Sequence, residues 1–453
     1  MTTDTIIHLR RGFDIHLEGE SAQEIQPFPL ANTVDVAPPD FKYLTAKLLV
    51  ESGETVLAGQ ALFVDKNFPE IKFCASASGI VSDIVRGEKR VIQAVRIHTD
   101  KSGVQYLDFP KEKPKRLTAE AIRERILESG CWAYILQRPY NCIANPAISP
   151  RAIFISCFDT APLAPKLDFM IAQEPENFQT GLEALVRLGG SCPIHLGLHK
   201  NQNPNIVGDT EGVSIHLFSG PHPVGNVGIQ IHHIDPIRHA NDVVWTIHPQ
   251  DVIIIGRLFN EGRYRADRLV AVGGAKIKHP RYYKVLSGQR ISGLLEDYLW
   301  EEKHRVIEGN VLHGRKISDK AHLSFYANQI TVLPEGDEPE FLGWLLPSFK
   351  KLSLSRTFFS WLFKNKKFNL DTNTHGEERP FVMTGQYEQV LPMDILPVHL
   401  LKAILAKDIE RMEQLGIYEV AEEDFALCEF VCTSKIDVQN IIAQGLELMR
   451  EES

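Results

Sequence analysis

The first hundred residues carry short runs in which apolar and polar positions alternate. Residues 41–97 contain the runs KLLVESGETVLAGQALFVD and IKFCASASGIVSDIVRG, in which glycine turns separate the alternating stretches. Many short strands with regularly spaced glycine turns are typical of a small sandwich or barrel. We therefore predict a barrel-sandwich domain over residues 1–105.

From residue 151 onward, the apolar runs become longer and alternate with helical stretches. RAIFIS, PIHLGL and VSIHLF have the pattern of buried strands, and we interpret IQIHHI, DVVWTI and DVIIIGRLF as further strands. Residues 178–188 have the periodicity of a helix, and Thr118 is predicted to cap an earlier helix. Strands interleaved with helices favour an open α/β sheet, so we assign residues 116–260 to a Rossmann-like domain.

The last two segments differ from this core. Residues 265–335 combine turns, short strands and one short helix, which predicts a compact mixed β unit. Residues 336–453 end in helical patterns: Leu and Ile recur at helical spacing over residues 397–415, and Ser434 with Asp437 resembles a capping box before the last helix. The predicted fold class is therefore multidomain, α+β and α/β.

A glycine- and proline-rich stretch, FSGPHPVGNVGIQIHHIDP, lies near the middle of the chain at residues 218–236. In an open α/β sheet, ligands lie beyond the carboxyl ends of the strands, where this loop and residues 156–160 are expected. We predict that the loop lines a ligand site or a subunit contact; a structural turn is the alternative. The candidate ligand-binding residues are Ser219, Gly220, His222, Gly225, Asn226, Gly228 and His232.

Two more specific sites do not fit this loop. Gly220 and Gly225, with four residues between them, have the spacing of a phosphate-binding loop. However, Asn226 and Val227 occupy the positions where such a loop requires Lys and Ser or Thr. Its three histidines suggest a metal site, yet His232 and His233 are expected on opposite faces of a strand, and no carboxylate spacing supports them. We predict no metal site here.

Cys428 and Cys432 are the remaining candidates for a metal centre. An Fe–S cluster normally needs four thiolates, and the chain contains no CxxC motif. On a helix, positions four residues apart share a face. We therefore favour two reduced structural thiols over half of a cluster site.

The aromatic–basic segment, residues 341–367, is the most unusual surface candidate. It contains seven aromatic residues, six Lys or Arg and no acidic residue, in a chain of formal net charge −9. This composition favours contact with anionic lipid headgroups or with a partner subunit; the alternative is an apolar helix pair that packs on the protein's own sheet. The candidate docking residues are Trp344, Lys350, Lys351, Arg356, Phe359 and Trp361.

Composition excludes several classes of function. The acidic balance argues against nucleic acid as the main partner. No secretory signal is present at the start, and no window reaches the roughly eighteen apolar residues of a spanning helix. We therefore expect a soluble or peripheral protein. Seven scattered cysteines fit reduced thiols better than a disulfide framework.

The predicted barrel-sandwich resembles the biotinyl/lipoyl carrier domains in its VESGETVLAGQAL and ASGIV strings. Carriers attach their cofactor to a lysine between methionines or similar residues at a hairpin tip. Lys66 lies in the intervening segment without that flanking pattern. We therefore expect the fold without the carrier lysine and without a covalently bound cofactor.

Longer strings along nearly the whole chain resemble one family, the A subunits of the bacterial Na⁺-translocating NADH:quinone oxidoreductase. They are RRGFDIHLEG, ASASGIVSDIVRGEKRVIQAV, SGPHPVGNVGIQIHHIDP, SLSRTFFSWL, GQYEQVLPMDILP and EEDFALCEFVC. The resemblance implies a peripheral subunit on the cytoplasmic side of the bacterial inner membrane. Its six-subunit complex passes electrons from NADH to ubiquinone and exports Na⁺, and the other subunits, mainly the membrane subunits, are the expected partners.

This family is similar to the C subunit of the Rnf complex and to the flavoprotein subunit of respiratory complex I. The similarity implies a β-grasp unit of the soluble-ligand-binding type over residues 265–335. Those relatives bind flavin and NADH through glycine-rich loops and hold a cluster with four cysteines. This chain lacks the loop in that form, and only Cys428 and Cys432 remain in the cluster region. We therefore expect NADH, flavins and Fe–S centres in other subunits, with ubiquinone as the candidate ligand here.

Three hypotheses for the chain itself follow. The leading one is a structural or quinone-binding subunit that is not catalytic in isolation. The second is an assembly scaffold without a ligand. The third is an independent soluble NADH-dependent flavoenzyme, which needs a dinucleotide-binding loop that the sequence lacks.

Overall fold

The computed structural model describes residues 6–100, 102–208, 210–295, 299, 303–337, 348–363 and 366–452. Its strands, in chain order, are β1 Ile6–His8, β2 Ala22–Pro27, β3 Thr33–Val36, β4 Ala46–Leu48, β5 Thr55–Val56, β6 Ala61–Asp65, β7 Lys72–Cys74, β8 Gly79–Arg86, β9 Ile92–Thr99, β10 Leu136–Arg138, β11 Cys142–Ile143, β12 Ile153–Ser156, β13 Ile194–His199, β14 Val213–Ser219, β15 Val244–Thr246, β16 Asp267–Gly273, β17 Arg281–Leu286, β18 His304–Glu308, β19 Arg315–Ile317 and β20 Gln329–Pro334. Its α-helices are α1 Ala119–Glu128, α2 Leu167–Ile171, α3 Pro175–Gly189, α4 Val227–Ile234, α5 Pro249–Glu261, α6 Ser292–Leu295, α7 Tyr387–Val390, α8 Pro397–Leu405, α9 Ile409–Gln414, α10 Ala426–Val431 and α11 Val438–Glu452.

The largest sheet has seven strands in the order β1-β14-β13-β12-β15-β10-β11. The first five run parallel, whereas β10 is antiparallel to β15 and β11 is antiparallel to β10. Successive residues of β12 alternate between two cores: Ile153 and Ile155 pack in the core that includes α3 and α5, and Phe154 packs in the core that includes α4. This is the open α/β sheet that the sequence predicts.

Three smaller sheets complete the β-structure of the described residues. Two of them, β3-β9-β8-β5 and β4-β6-β7, form the barrel-sandwich near the start of the chain. The third has the order β19-β18-β20-β16-β17-β2 and packs against the short helix α6 through Leu294 and Leu295. Five of these six strands come from residues 267–334, and the sixth, β2, comes from the beginning of the chain.

The first two strands, β1 and β2, pair with strands outside the barrel-sandwich that was predicted for residues 1–105. Strand β1 pairs with β14 in the largest sheet, where Ile6 lies opposite Leu217, and β2 pairs with β17. An unpaired strand edge exposes backbone N–H and C=O groups. Strand β1 pairs with these groups at one edge of the largest sheet, and β2 does the same at one edge of the six-stranded sheet. Local hydrophobic pattern carries no information about such pairing, so the sequence did not predict it.

The prediction of a strand at IQIHHI is wrong, because these residues lie in α4. Strands β14 and β15 run in the same direction in one sheet, and a parallel connection must cross one face of the sheet, usually as a helix. Helix α4 makes this crossing, and its own residues Ile229 and Ile231 are buried in the core that also contains Phe154 of β12. His232 and His233 therefore follow each other around a helix, with ring centroids 4.9 Å apart.

The prediction of a strand at DVIIIGRLF is also wrong. These residues belong to α5, which starts with Pro249 in its first turn and ends at Gly262 in the left-handed region. His248 Nδ1 accepts a hydrogen bond from the Gln250 amide and caps the helix. Because α5 is buried on nearly all sides, its residues show a continuous apolar run, which by itself does not distinguish a buried strand from a buried helix.

Two details of the C-terminal helices differ from prediction. The helix predicted over residues 397–415 is divided into α8 and α9 at Lys407, whose φ of 54° is incompatible with a continuous helix. Ser434 does not cap the last helix, because its hydroxyl donates to the carbonyl of Pro380; Asp437 Oδ1 accepts from the Asn440 amide instead. By contrast, Thr118 caps α1 through the Ala121 amide, as predicted.

Candidate functional site

The central loop lies at the carboxyl end of β14, beside the residues that follow β12. Ser156 Oγ donates to the carbonyl of Gly225 at 2.9 Å, and Thr160 Oγ1 accepts from the Gly225 amide at 3.0 Å. Gln230 Nε2 in turn donates to Ser156 Oγ at 2.8 Å. The two segments that the sequence places beyond the strand ends therefore meet there.

His222 is deeply buried within the loop, with 2% of its surface exposed. Its Nδ1 lies 3.0 Å from Thr160 Oγ1, its amide donates to Asp14 Oδ1 at 2.8 Å, and its carbonyl accepts from the Phe13 amide. Burial lowers the pKa of His222 to about 3, so the ring is neutral at physiological pH. The residue joins the loop to the N-terminal segment and to the end of β12.

The beginning of the loop is closed by backbone contacts. Ser219 is buried and its Oγ lies 2.9 Å from His8 Nδ1. Gly220 has a φ of 144°, and a Cβ at this position would lie 2.5 Å from the carbonyl O of Leu9. A side chain is therefore excluded here by conformation and by space.

Helix α4 begins against a buried ion pair that the sequence analysis missed. Arg138 donates from Nη1 to Asp424 Oδ2 at 2.8 Å and from Nη2 to Glu423 Oε1 at 2.6 Å. A Cβ on Gly228 would lie 2.4 Å from Asp424 Oδ2, and Asn226 Nδ2 donates to the Glu423 carbonyl at 3.1 Å. The start of α4 is thereby tied to the C-terminal helices.

His232 lies one helical turn beyond Gly228 and contacts a different part of the chain. Its Nε2 accepts from the Asp394 amide at 3.1 Å, so its Nδ1 carries the proton and donates to Glu419 Oε1 at 2.9 Å. His233 donates from Nε2 to the Pro392 carbonyl. The structure thus brings Ser219 to Gly228 together around one strand end, whereas His232 binds the C-terminal segment.

The polar atoms of this loop are largely occupied by the protein itself. A small cavity of about 10 Å³, lined by Ser76 and Asp40 among others, lies elsewhere, as does an open cleft of about 440 Å³, lined by Arg123 and Arg151 among others. Near the strand end, Gly220 and Asn226 are the candidate ligand-binding residues that keep partial solvent exposure.

Cys428 and Cys432 are buried thiols on α10 and at its C-terminal end. Burial raises the pKa of Cys428, and Cys432 Sγ accepts from the Ile436 amide at 3.5 Å. Over the described ranges, no group of three or more His, Cys, Asp or Glu residues is arranged to hold a metal ion. Both cysteines pack in the apolar core that contains α8 and α11.

Part of the aromatic–basic segment is described, at residues 348–363 and 366–367; the predicted docking residue Trp344 lies outside the described residues. The described part forms a single 3₁₀ turn, Phe359–Leu362, and not the helix pair considered as an alternative. The Arg356 guanidinium lies 5.7 Å from the Trp361 ring, and Lys351 Nζ lies 5.8 Å from the ring of Phe358. Lys350 and Phe359 are exposed.

Comparison with known proteins identifies the family. Three family descriptions match successive parts of the chain: the NqrA N-terminal barrel-sandwich hybrid domain at residues 7–100, the NqrA second alpha/beta domain at residues 117–264 and the NQRA C-terminal domain at residues 269–319. The first two agree with the barrel-sandwich and the open α/β sheet described above.

Full-length relatives carry one name, that of the A subunit of Na(+)-translocating NADH-quinone reductase. The protein of this name from Haemophilus influenzae (strain 86-028NP) is 36% identical over 450 residues, which is 99% of this chain and 100% of that protein. Its counterpart in Yersinia pseudotuberculosis (serotype O:1b, strain IP 31758) is 37% identical over 449 residues, with the same coverage. The counterpart in Pseudomonas aeruginosa (strain PAO1) is 36% identical over 450 residues, again covering 99% of this chain and 100% of that protein.

Among solved structures, the NAD⁺-reducing NiFe hydrogenase in its air-oxidized state is 11% identical, with a TM-score of 0.40; the match covers 75% of this chain and 62% of that chain. None of the helices that the structure describes is long and apolar enough to cross a bilayer. The family assignment rests on the full-length relatives, and by that measure the chain belongs to the family of the A subunits of Na(+)-translocating NADH-quinone reductase.

Proposed function

We propose that this chain is the peripheral A subunit of a sodium-pumping NADH:ubiquinone reductase in a bacterial inner membrane. The complex oxidises NADH, reduces ubiquinone to ubiquinol and exports Na⁺; this subunit lies on the cytoplasmic side and binds the membrane subunits of a six-subunit assembly. The observation that carries the proposal is the 36% identity to a named A subunit over the full length of both chains. NADH, flavins and Fe–S centres belong to other subunits in this proposal.

Complex membership is tested by reconstitution. Membranes from a bacterium whose own A subunit has been deleted are supplemented with the purified full-length chain. We expect NADH-dependent ubiquinone reduction and Na⁺ uptake into inverted vesicles to be restored together, because both belong to one complex. The heat-denatured chain is the control. An intact chain that binds these membranes and restores neither activity contradicts the proposal.

A contribution of the central loop to quinone binding deepens this proposal. The loop lies at the end of the parallel sheet where ligands of α/β proteins bind, and Asn226 combines partial exposure with a free amide oxygen or a displaceable amide donor. In the same way, the Rossmann-like domain over residues 116–260 and the β-grasp domain over residues 265–335 are proposed assignments. The six-stranded mixed sheet supports the latter.

Replacing Asn226 with Ala is expected to weaken quinone binding about five- to tenfold, because one hydrogen bond to a ligand contributes about 1–1.5 kcal/mol. Binding of a short-chain ubiquinone to the purified full-length chain is measured by calorimetry. Asn201→Ala is the matched control, since Asn201 is an exposed Asn in a neighbouring loop. Equal affinity of the two variants removes Asn226 from the site.

The two other hypotheses make different predictions. An assembly scaffold binds no ubiquinone in that titration, yet it restores activity to depleted membranes. An independent NADH-dependent flavoenzyme is purified with flavin absorbance and oxidises NADH without the other subunits. One absorbance spectrum of the purified chain distinguishes this last hypothesis from the first two.

A further inference from the structure

The surface patch formed by residues 348–363 and 366–367 carries a function of its own. We propose that this patch docks on the anionic lipid surface of the membrane itself, beside the contacts that the chain makes with membrane subunits. The proposal rests on the proposed function, which places the chain at a membrane. It goes further by naming anionic lipid as the binding partner of this patch. Its three supports are contiguous exposed apolar area, local positive charge and a rigid base.

Three exposed aromatic side chains of the patch form one cluster around Phe349. The Phe349 ring centroid lies 5.7 Å from that of Phe359 and 6.0 Å from that of Phe363. These three rings and two neighbouring side chains of the patch are each about half exposed to solvent: Phe349 52%, Phe359 46%, Trp361 49%, Leu362 55% and Phe363 53%. Single exposed apolar residues are ordinary, but a contiguous cluster of this kind marks an interaction surface.

Positive charge surrounds this cluster. Lys350 is exposed beside Phe349, the Arg356 guanidinium lies over the Trp361 ring, and Lys366 Nζ donates to the Phe349 carbonyl at 2.8 Å. The sequence from residue 341 to residue 370 contains no Asp or Glu, although the chain as a whole has a net charge of −9. The positive charge of the patch therefore complements an anionic surface, whereas the rest of the protein, which is net negative, is repelled by such a surface.

The backbone beneath the patch is held by the folded core. The hydroxyl of Ser360 is buried and donates to the Lys351 carbonyl at 2.5 Å. Leu352 and Leu354 pack against the core that contains α4, and Phe368 exchanges backbone hydrogen bonds with residues 16–18. The aromatic side chains are thus presented from a fixed turn, which reduces the entropy lost on docking.

A bilayer fits this combination better than a protein surface does. The centres of protein–protein interfaces are depleted of lysine, whereas membrane interfaces favour Trp and other aromatic rings at headgroup depth with Lys and Arg beside the phosphates. In the patch, the cations lie next to the aromatic rings and not at a distant rim. Phe359 and Trp361 would enter the headgroup layer while Lys350 and Arg356 bind lipid phosphates.

Vesicle flotation of the purified full-length chain tests the proposal. Vesicles of phosphatidylcholine alone are compared with vesicles that also contain phosphatidylglycerol, at low and at high salt. We expect binding to the anionic vesicles that weakens with salt. The double variant Lys350→Glu/Arg356→Glu should bind about twentyfold or more weakly, because each basic residue near such a surface contributes about a factor of five.

Matched variants distinguish binding through this patch from effects of net charge or of exposed apolar side chains elsewhere on the protein. Lys89→Glu/Arg90→Glu makes the same change in net charge on exposed residues of the barrel-sandwich and should leave binding unchanged. Phe359→Ser/Trp361→Ser should reduce binding to anionic vesicles, whereas Leu396→Ser/Leu405→Ser, which removes equally exposed apolar side chains, should not. Circular dichroism checks that each variant is folded.

Every outcome decides between the proposals. Equal binding by the two charge variants overturns the lipid-docking proposal. Absence of binding to protein-free vesicles, with binding retained on membranes that contain the other subunits, overturns it in favour of a protein contact and leaves the proposed function intact. Vesicle binding by a chain that fails to restore ubiquinone reduction supports lipid docking and contradicts the proposed function.

Discussion

Replacing Arg138 with Met is expected to lower the free energy of unfolding by about 3–5 kcal/mol, because the change leaves an unpaired carboxylate in the protein interior. Arg138 and Asp424 are each about 1% exposed or less, and their side chains lie 2.8 Å apart. Urea denaturation of the full-length chain, followed by tryptophan fluorescence, measures the loss. Since the pair joins the central sheet to the C-terminal helices, the variant should also lose the cooperativity between these parts.

Two controls follow from the same contact. The double variant Arg138→Met/Asp424→Leu should recover most of the stability, because an apolar pair of similar volume replaces a buried ion pair at little cost. Burial raises the pKa of Asp424 and Arg138 opposes that rise. When the pKa of a carboxyl is higher in the folded state than in the unfolded state, the protein loses stability as the pH rises through the folded-state pKa. The single variant should therefore be destabilised more at pH 8 than at pH 5. A loss independent of pH, with no recovery in the double variant, contradicts the assignment.

Replacing Gly256 with Ala is expected to destabilise the α/β domain by about 3 kcal/mol. Helices α3 and α5 cross with their backbones in contact, and a Cβ on Gly256 would lie 1.8 Å from the Asn177 carbonyl O. Gly181 makes the reciprocal approach, with a Cβ position 2.1 Å from the Val252 carbonyl O. Because the obstacle is backbone, the helices must move apart, which is the most costly form of overpacking. The same urea titration measures the effect.

Gly189→Ala is the matched control on helix α3. A Cβ there would meet only side-chain atoms at 3.3 Å and beyond, and Ala is the better helix former. We expect a change within about 1 kcal/mol. If the two glycine variants are equally stable, the helices are free to separate and the close crossing is not required for stability.

The candidate site shows how a folded loop limits its own chemistry. His222 and Ser219 have the residue types that a ligand site uses, yet each is buried and bonded to the N-terminal segment or to the end of β12. Asn226 is different, because it keeps partial exposure at the start of α4. The quinone-binding proposal therefore depends mainly on Asn226, whereas the docking proposal depends on side chains that are exposed throughout.

Features with local signals were predictable from the sequence. Glycine turns between alternating runs indicated the barrel-sandwich, Thr118 indicated the start of α1, and long strings along the chain indicated the family, which the full-length relatives confirm. The aromatic–basic segment was also visible in composition alone, although its 3₁₀ turn was not. Each of these signals lies in residues that are close to one another along the chain.

Features that depend on residues far apart in sequence became visible only in the folded structure. The apolar runs of α4 and α5 suit a strand or a helix. The parallel order of β14 and β15 required a crossing helix at α4, whereas α5 is a helix that is buried on nearly all sides. Strand β1 pairs with β14, and Arg138 forms an ion pair with Asp424, which lies 286 residues away in sequence. Because hydrogen bonds and ion pairs are satisfied in space and not along the chain, local pattern could not reveal them.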